Sequence, residues 1–289
     1  MKDKLFFKIS LAEWSLHKSL FSNEMDNLAF PSIAITKFGI KAVEYVNQFF
    51  KDKATNMKYL SELKRRAEDV GVANVLIMCD EEGELASAVS SERKRAIENH
   101  FKWIEAAKFL GCSSVRVNCF GAGSADEMAK ASTDSLRTLC EFALPLQINV
   151  VVENHGGFSS DGMWLSKVIS NVGMENCGTL PDFGNFCIRH EKIGDWKTPC
   201  LEAYDRYQGV AELMPYAKGV SAKASDFDEY GNCIETDFHK MLSIVQAAGY
   251  SGYVGIEYSE GTLSEEEGIK ATKNLLEKVG EALRPTDQN

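Results

Sequence analysis

Eight short runs of β-forming residues recur along this chain, separated by longer stretches of helical periodicity, and that alternation limits the folds open to it. The runs are FFKISLA (6–12), IKAVEYV (40–46), ANVLIM (73–78), SVRVN (114–118), INVVVEN (148–154), CGTLPDF (177–183), GVSAKA (219–224) and GYVGIEY (252–258). Between them, NMKYLSELKRRAEDVG (56–71) sets Leu60 and Leu63 against a charged face and stops at Gly71. SSERKRAIENHFKWIEAAKFLG (90–111) offers a serine cap, an acidic first turn and a terminal Gly111; DFHKMLSIVQAAGYSG (237–252) offers Asp237 as cap and Gly249 as stop. Strands alternating with helices give a parallel sheet, and eight such units suit closure into a (β/α)8 TIM barrel, an α/β fold. A doubly wound open sheet is the alternative, but it usually needs fewer strands, and no G-x-G-x-x-G follows the first run. With no low-complexity linker, residues 1–289 are expected to form one domain. The tail RPTDQN (284–289) is expected to fray.

The formal net charge of -10 speaks against a nucleic-acid partner, which calls for a basic face. No run approaches the roughly 18 apolar residues of a membrane span. The opening MKDKLFFKISLAEWSLHKSL is interrupted by Lys8 and Glu13 and reads as mature structure rather than a leader. The 8 cysteines are scattered without a C-x-x-C pair, which predicts reduced thiols and a cytoplasmic setting.

The candidate chemistry lies where the runs end. In VVVENHGG (150–157) a strand of valines closes on Glu153, Asn154 and His155. Burying a carboxylate is costly unless it is paired or binds a cation, so this strand either emerges into solvent or forms the wall of a site. In α/β barrels catalytic groups sit at the C-terminal ends of the strands. Searching the same end of the other runs gives Asp182, Glu257, Ser221 and Lys223, with Arg116 and Asn118 on the fourth run and Glu44 on the second. Trp14 and Glu44 are pocket-wall candidates. Three carboxylates converging at one mouth would repel each other unless protonated or neutralised, and an oxygen-rich set suits Mg²⁺ or Mn²⁺, with zinc competitive if a histidine joins.

VVENHGG, PDFGNF, VSAKASDFDEYGN and AGYSGYVGIEYSEG together resemble the sugar-phosphate isomerase/epimerase family with the xylose isomerase-like barrel, over nearly the whole chain. The resemblance implies a divalent metal held by Glu, Asp, His and Glu from strands five to eight, of which Glu153, Asp182 and Glu257 match three. The strand-seven histidine is replaced by Ser221, while Lys223 keeps the family's lysine. The family's epimerases often carry a histidine three residues after the aspartate, where this chain has Asn185. The resemblance further implies a small carbohydrate substrate and proton transfer through an enediolate, with Glu153 and Glu257 on opposite sides of the sugar. Lys223 would offset enolate charge, and His155 and Arg116 would orient oxygens.

Each residue has a plainer reading. Glu153 could simply pair with Arg116 or Lys223, Asp182 could be a turn residue, and His155 could be a packing group. Arg116 could neutralise core carboxylates, and His190 is close enough to PDFGNF to reach the mouth. SEEEG (264–268) reads as the first turn of the last helix, where acidic residues suit the dipole. The competing functions are a sugar-binding barrel without turnover, a lyase or dehydratase using the same intermediate, and a metal phosphoesterase, which would need more metal histidines.

Overall fold

Side-chain alternation decides which layer each strand residue joins. In the computed structural model, which describes residues 5–192 and 195–284, the strands are β1 (Lys8–Ala12), β2 (Ala42–Val46), β3 (Ala73–Met78), β4 (Ser114–Val117), β5 (Asn149–Glu153), β6 (Cys177–Leu180), β7 (Cys187–His190), β8 (Cys200–Ala203), β9 (Val220–Ala224) and β10 (Tyr253–Tyr258). The helices are α1 (His17–Phe21), α2 (Phe30–Phe38), α3 (Met57–Asp69), α4 (Ser90–Leu110), α5 (Ala125–Ala143), α6 (Gly162–Val172), α7 (Arg206–Leu213), α8 (Phe238–Ala247) and α9 (Glu265–Ala282).

Eight strands form one parallel sheet in the order β6-β5-β4-β3-β2-β1-β10-β9. The seam between β6 and β9 is closed by the bridges Thr179 to Ala217 and Asp182 to Ser221. Ser221 N–H donates to Pro181 O at 2.9 Å and Phe183 N–H to Ser221 O at 3.0 Å. The sheet is therefore a closed (β/α)8 barrel, which leaves no edge strand.

Outward residues such as Val115, Val117, Val150, Val152, Val254 and Ile256 pack beneath the helices in the main core. A second cluster, Ala12, Ala42, Val46, Val75, Leu76, Met78, Val151 and Leu180, fills the inside of the barrel. Each such aliphatic stabilises the fold by roughly 1.5–3 kcal/mol when fully buried. The helix signals act largely as expected. Asp237 caps α8 and Gly111 ends α4 in the left-handed region at φ 83°, while Asn56, not singled out from the sequence, caps α3 through Tyr59 N–H. Ser264 caps α9 ahead of Glu265, Glu266 and Glu267. Ser90, however, lies inside α4. The N-cap is Val89, and Ser87 accepts from Val89 N–H instead.

Two corrections concern the segment after β6. The run 177–183 is strand only as far as Leu180, and an unforeseen antiparallel hairpin, β7 with β8, follows it. The hairpin brings Cys187 and Cys200 to a Cα–Cα distance of 5.8 Å, where they form a disulfide. The expectation of reduced thiols is thus wrong for these two, and the pairing gives no support to a cytoplasmic setting. Cys79, Cys112, Cys119, Cys140, Cys177 and Cys233 are free and buried. The tail expected to fray lies, beyond Arg284, outside the described residues. Among the described residues no helix is long and apolar enough to cross a membrane.

Candidate active site

Inward positions near the C-terminal ends of the barrel strands carry the polar residues. Glu153 ends β5, Asp182 follows β6, and Glu257 lies in β10. All three are buried, and each offers a carboxylate oxygen within 4.8 Å of the others. Among the described residues no histidine joins this group. Asn154, pointing away, clamps the Asp182 loop: its amide donates to Asp182 O at 3.0 Å and Asn185 O at 3.2 Å, and its oxygen accepts from Asp182 N–H at 2.7 Å. Asp182 Oδ1 then accepts from Gly184 N–H and Asn185 N–H, both at 2.8 Å.

The three carboxylates differ in their company. Lys223 Nζ lies 2.9 Å from Glu257 Oε1, and the Ser221 hydroxyl donates to Glu257 Oε2 at 3.2 Å. Burial would raise Glu257, but the bonded ammonium overrides it and holds the group below its ordinary value. Glu153 Oε2 lies 2.9 Å from Arg116 Nε without the alignment of a hydrogen bond, while Asn185 Nδ2 donates to Oε1 at 2.9 Å. Arg116 donates instead to Asp80, Nη1 to Oδ1 at 2.6 Å. Burial therefore dominates at Glu153 and pushes it well up, against Arg116 and with help from Glu257 and Asp182. Burial also lifts Asp182 to about 6, with Lys223 opposing. At Asp80, with its side chain 15% exposed, desolvation also acts upward, but Arg116 dominates and holds it at about 2.

The ion-pair reading of Glu153 is thus seen directly with Arg116, and that of Lys223 with Glu257. Both pairs coexist with a metal-ready arrangement. Glu153 Oε2 and Asp182 Oδ2 are buried and accept no hydrogen bond, a state costing roughly 1–3 kcal/mol or more per group unless compensated. Asp182 Oδ2 without a hydrogen bond, Glu153 Oε2 held only by an unaligned ion pair, and three carboxylates brought together from separate strand ends fit a hard divalent cation. Ser221 faces Glu257, so the fourth protein ligand implied by the resemblance is missing.

The remaining candidates have different surroundings. His155 Nδ1 lies 3.0 Å from Asn118 Oδ1, and its ring packs between Phe120 and Trp196 at centroid distances of 5.7 and 4.9 Å. Burial, and then Arg116, lowers His155 to about 4, so the ring is neutral near neutral pH. Trp196 fits against Gly156, where a Cβ would come within 2.7 Å of the indole. His190 belongs to the hairpin, with Nδ1 2.9 Å from Thr198 O and its ring beside Trp196. Trp14 stacks on His17 and leans on the apolar barrel interior. Glu44 is 1% exposed inside the barrel, and its carboxylate reaches Ser10, whose hydroxyl donates at 2.5 Å. Gly255 leaves room for it, since a Cβ there would come within 2.7 Å of the carboxylate. Burial raises Glu44 to about 7.

The sequence reading passed over Asp80, Glu13 and Trp196. Asp80 closes LIMCD and Glu13 closes ISLAE, so the signal that marked Glu153, a carboxylate ending an apolar strand, was present at both. Glu13 is fully buried and accepts from Asn27 and Val46 N–H. Trp196 carries no such signal.

Residues 33–279 match the sequence model of the xylose isomerase-like TIM barrel. The chain belongs to that family. No curated protein sequence matches it significantly. Among solved structures, this family member is similar to a D-tagatose 3-epimerase-like protein, at 17% identity and TM-score 0.70 over 96% of this chain and 100% of the other. The IolI protein with a bound zinc atom aligns at 15% identity and TM-score 0.70, over 97% and 100%. The 3-keto-D-glucoside 4-epimerase of E. coli aligns at 15% identity and TM-score 0.65, over 95% and 100%. At these identities the likeness concerns the fold.

Proposed function

We propose that this chain is a divalent-metal-dependent isomerase or epimerase of a small sugar or sugar phosphate, moving a proton at the carbon beside a carbonyl through an enediolate. The observation that carries the reading is the convergence of Glu153, Asp182 and Glu257 at one barrel mouth beside Lys223. Glu153, Asp182 and Glu257 would hold the cation, Mn²⁺ or Mg²⁺ by their oxygen donors and Zn²⁺ less readily. Such an ion supplies Lewis acidity that makes the C–H beside the carbonyl easier to ionise.

The chain's own residues do the rest. Glu257, kept as a carboxylate by Lys223, accepts the proton from one face of the sugar. Glu153 lies three strands away around the barrel, across β6 and β9, and can return a proton to the other face. Lys223 balances the charge that develops on the enediolate oxygens. Arg116, His155 and Asn118 orient substrate oxygens, and Asn185 holds Glu153 through its amide. Trp14 forms part of the wall. The sugar-epimerase names among the similar structures support this substrate class.

A second reading, a sugar-binding barrel without turnover, is favoured by one observation: Ser221 bonds Glu257 where the family's histidine would stand. Incubation with ketoses and aldoses, free and phosphorylated, in deuterated buffer with Mn²⁺ separates the two. The isomerase reading expects solvent deuterium at the carbon beside the carbonyl, lost in Glu257→Gln with the fold intact. Exchange that survives in both Glu257→Gln and Glu153→Gln would remove these residues from the chemistry. Sugar binding without exchange would select the second reading.

A further inference from the structure

Asp80 lies outside the three-carboxylate cluster, yet two of the candidate site residues bond to it. Its Oδ1 accepts from Arg116 Nη1 at 2.6 Å and from Asn118 Nδ2 at 2.7 Å. An ionised carboxylate has only acceptors, so the end of the Asn118 amide that faces Asp80 must be the NH2. This settles the amide orientation by chemistry rather than by atom shape. The opposite end, Oδ1, then faces His155 Nδ1 at 3.0 Å. An amide oxygen can only accept, so the ring proton between them sits on Nδ1. Phe120 and Trp196 pack beside the ring, tilted to it by 33° and 31°. Among the described residues the ring's one hydrogen bond is this one through Nδ1.

We infer that Asp80 is a positioning residue which, through Asn118, fixes His155 as the Nδ1–H tautomer and presents the Nε2 lone pair at the mouth as an acceptor for a substrate hydroxyl. Free neutral histidine prefers the opposite tautomer, so the Asp80–Asn118 pair inverts an intrinsic preference. The chemical consequence is selective. Arg116 and Lys223 offer only donors, which suit carbonyl and phosphate oxygens. A bare imidazole nitrogen suits a hydroxyl, and a buried acceptor left unpaired discriminates against an analogue lacking that hydroxyl. The hydroxyl assignment rests on the sugar reading above, whereas the tautomer does not.

Two-bond ¹H–¹⁵N correlation spectra of the full chain, labelled at its 5 histidines and assigned with His155→Gln, test the inference. The wild-type ring should show a protonated Nδ1 and an unprotonated Nε2. Asn118→Leu, which leaves the Asp80–Arg116 pair in place, should shift the population towards Nε2–H, and so should Asp80→Asn if that variant keeps its fold. A wild-type ring found as Nε2–H overturns the inference at once. So does an Nδ1–H pattern that persists in Asn118→Leu, because the chain of bonds would not be what sets it. If the tautomer behaves as described while no sugar exchanges deuterium, the isomerase reading fails alone.

Discussion

The two sides of the barrel mouth pair carboxylates with cations in different ways. On the β9–β10 side, Lys223 pairs with Glu257, and Ser221 bonds the other oxygen. On the β3–β5 side, Arg116 stands between Asp80 and Glu153 and gives its aligned hydrogen bonds to Asp80. Two glutamates at similar depth in one barrel thereby acquire opposite proton affinities, Glu257 below the ordinary value and Glu153 above it. Acid and base roles in enzymes commonly rest on such a split. Both glutamates are buried, so the difference lies in alignment: Lys223 donates a hydrogen bond to Glu257, whereas Arg116 gives its hydrogen bonds to Asp80 rather than Glu153.

Removing the cations breaks the comparison most strongly. Arg116→Met strands Asp80 and Glu153 together and should cost about 4 kcal/mol of unfolding free energy, whereas Lys223→Met strands Glu257 and should cost about 3 kcal/mol. Denaturant unfolding at neutral pH measures both, and a larger loss in Lys223→Met would mean that Arg116 is not the shared partner.

Glu44 lies between the two sides, and among the described residues no cation forms an ion pair with it, Arg116 acting only from a distance. Its folded pKa of about 7 stands above the ordinary 4.5, so its favourable contribution is complete below pH 4.5 and is lost as pH rises through 7. By pH 8 the loss approaches about 3 kcal/mol at about 1.4 kcal/mol per unit. Glu44→Gln keeps an acceptor for Ser10 and should gain stability over wild type at pH 8 but little at pH 4.5. Parallel pH curves for the two proteins would show that Glu44 is already ionised at low pH.

Divalent metal should bridge the sides. Mn²⁺ at a hundredfold excess over its Kd should stabilise the fold by about 2.7 kcal/mol, seen as a raised Tm. No shift with Mn²⁺, Mg²⁺ or Zn²⁺ would leave the two ion pairs as the whole charge balance. The smallest effect is expected from Ser221→His. An imidazole on β9 should tighten metal binding roughly tenfold, about 1.4 kcal/mol, and calorimetry showing no gain would mean that position 221 does not face the ion.

Much of this was legible one strand at a time. Glu153 and Glu257 were visible because a carboxylate following alternating apolar residues has few cheap places to go. Asp182 was visible at the end of the sixth run, and the family resemblance set it apart from an ordinary turn residue. The identical local signal at Asp80 and Glu13 was passed over. The hairpin and its disulfide could not be inferred, because pairing Cys187 with Cys200 depends on a turn that the intervening residues do not announce. Asn185, standing where the family's epimerases often carry histidine, gives its amide nitrogen to Glu153.

What the sequence determined by itself is the periodic part: eight strands with their helices, the caps at Asn56, Asp237 and Ser264, and carboxylates at the ends of buried strands. These follow from contacts within a few residues along the chain. The tertiary structure decided which partner each charge meets. Arg116 reaches Asp80 from 36 positions away, Asn185 reaches Glu153 from 32, and Ser221 reaches Glu257 from 36. Barrel closure sets those meetings, and which carboxylate receives a cation's aligned hydrogen bond sets the charge. Neither property can be read from any single strand.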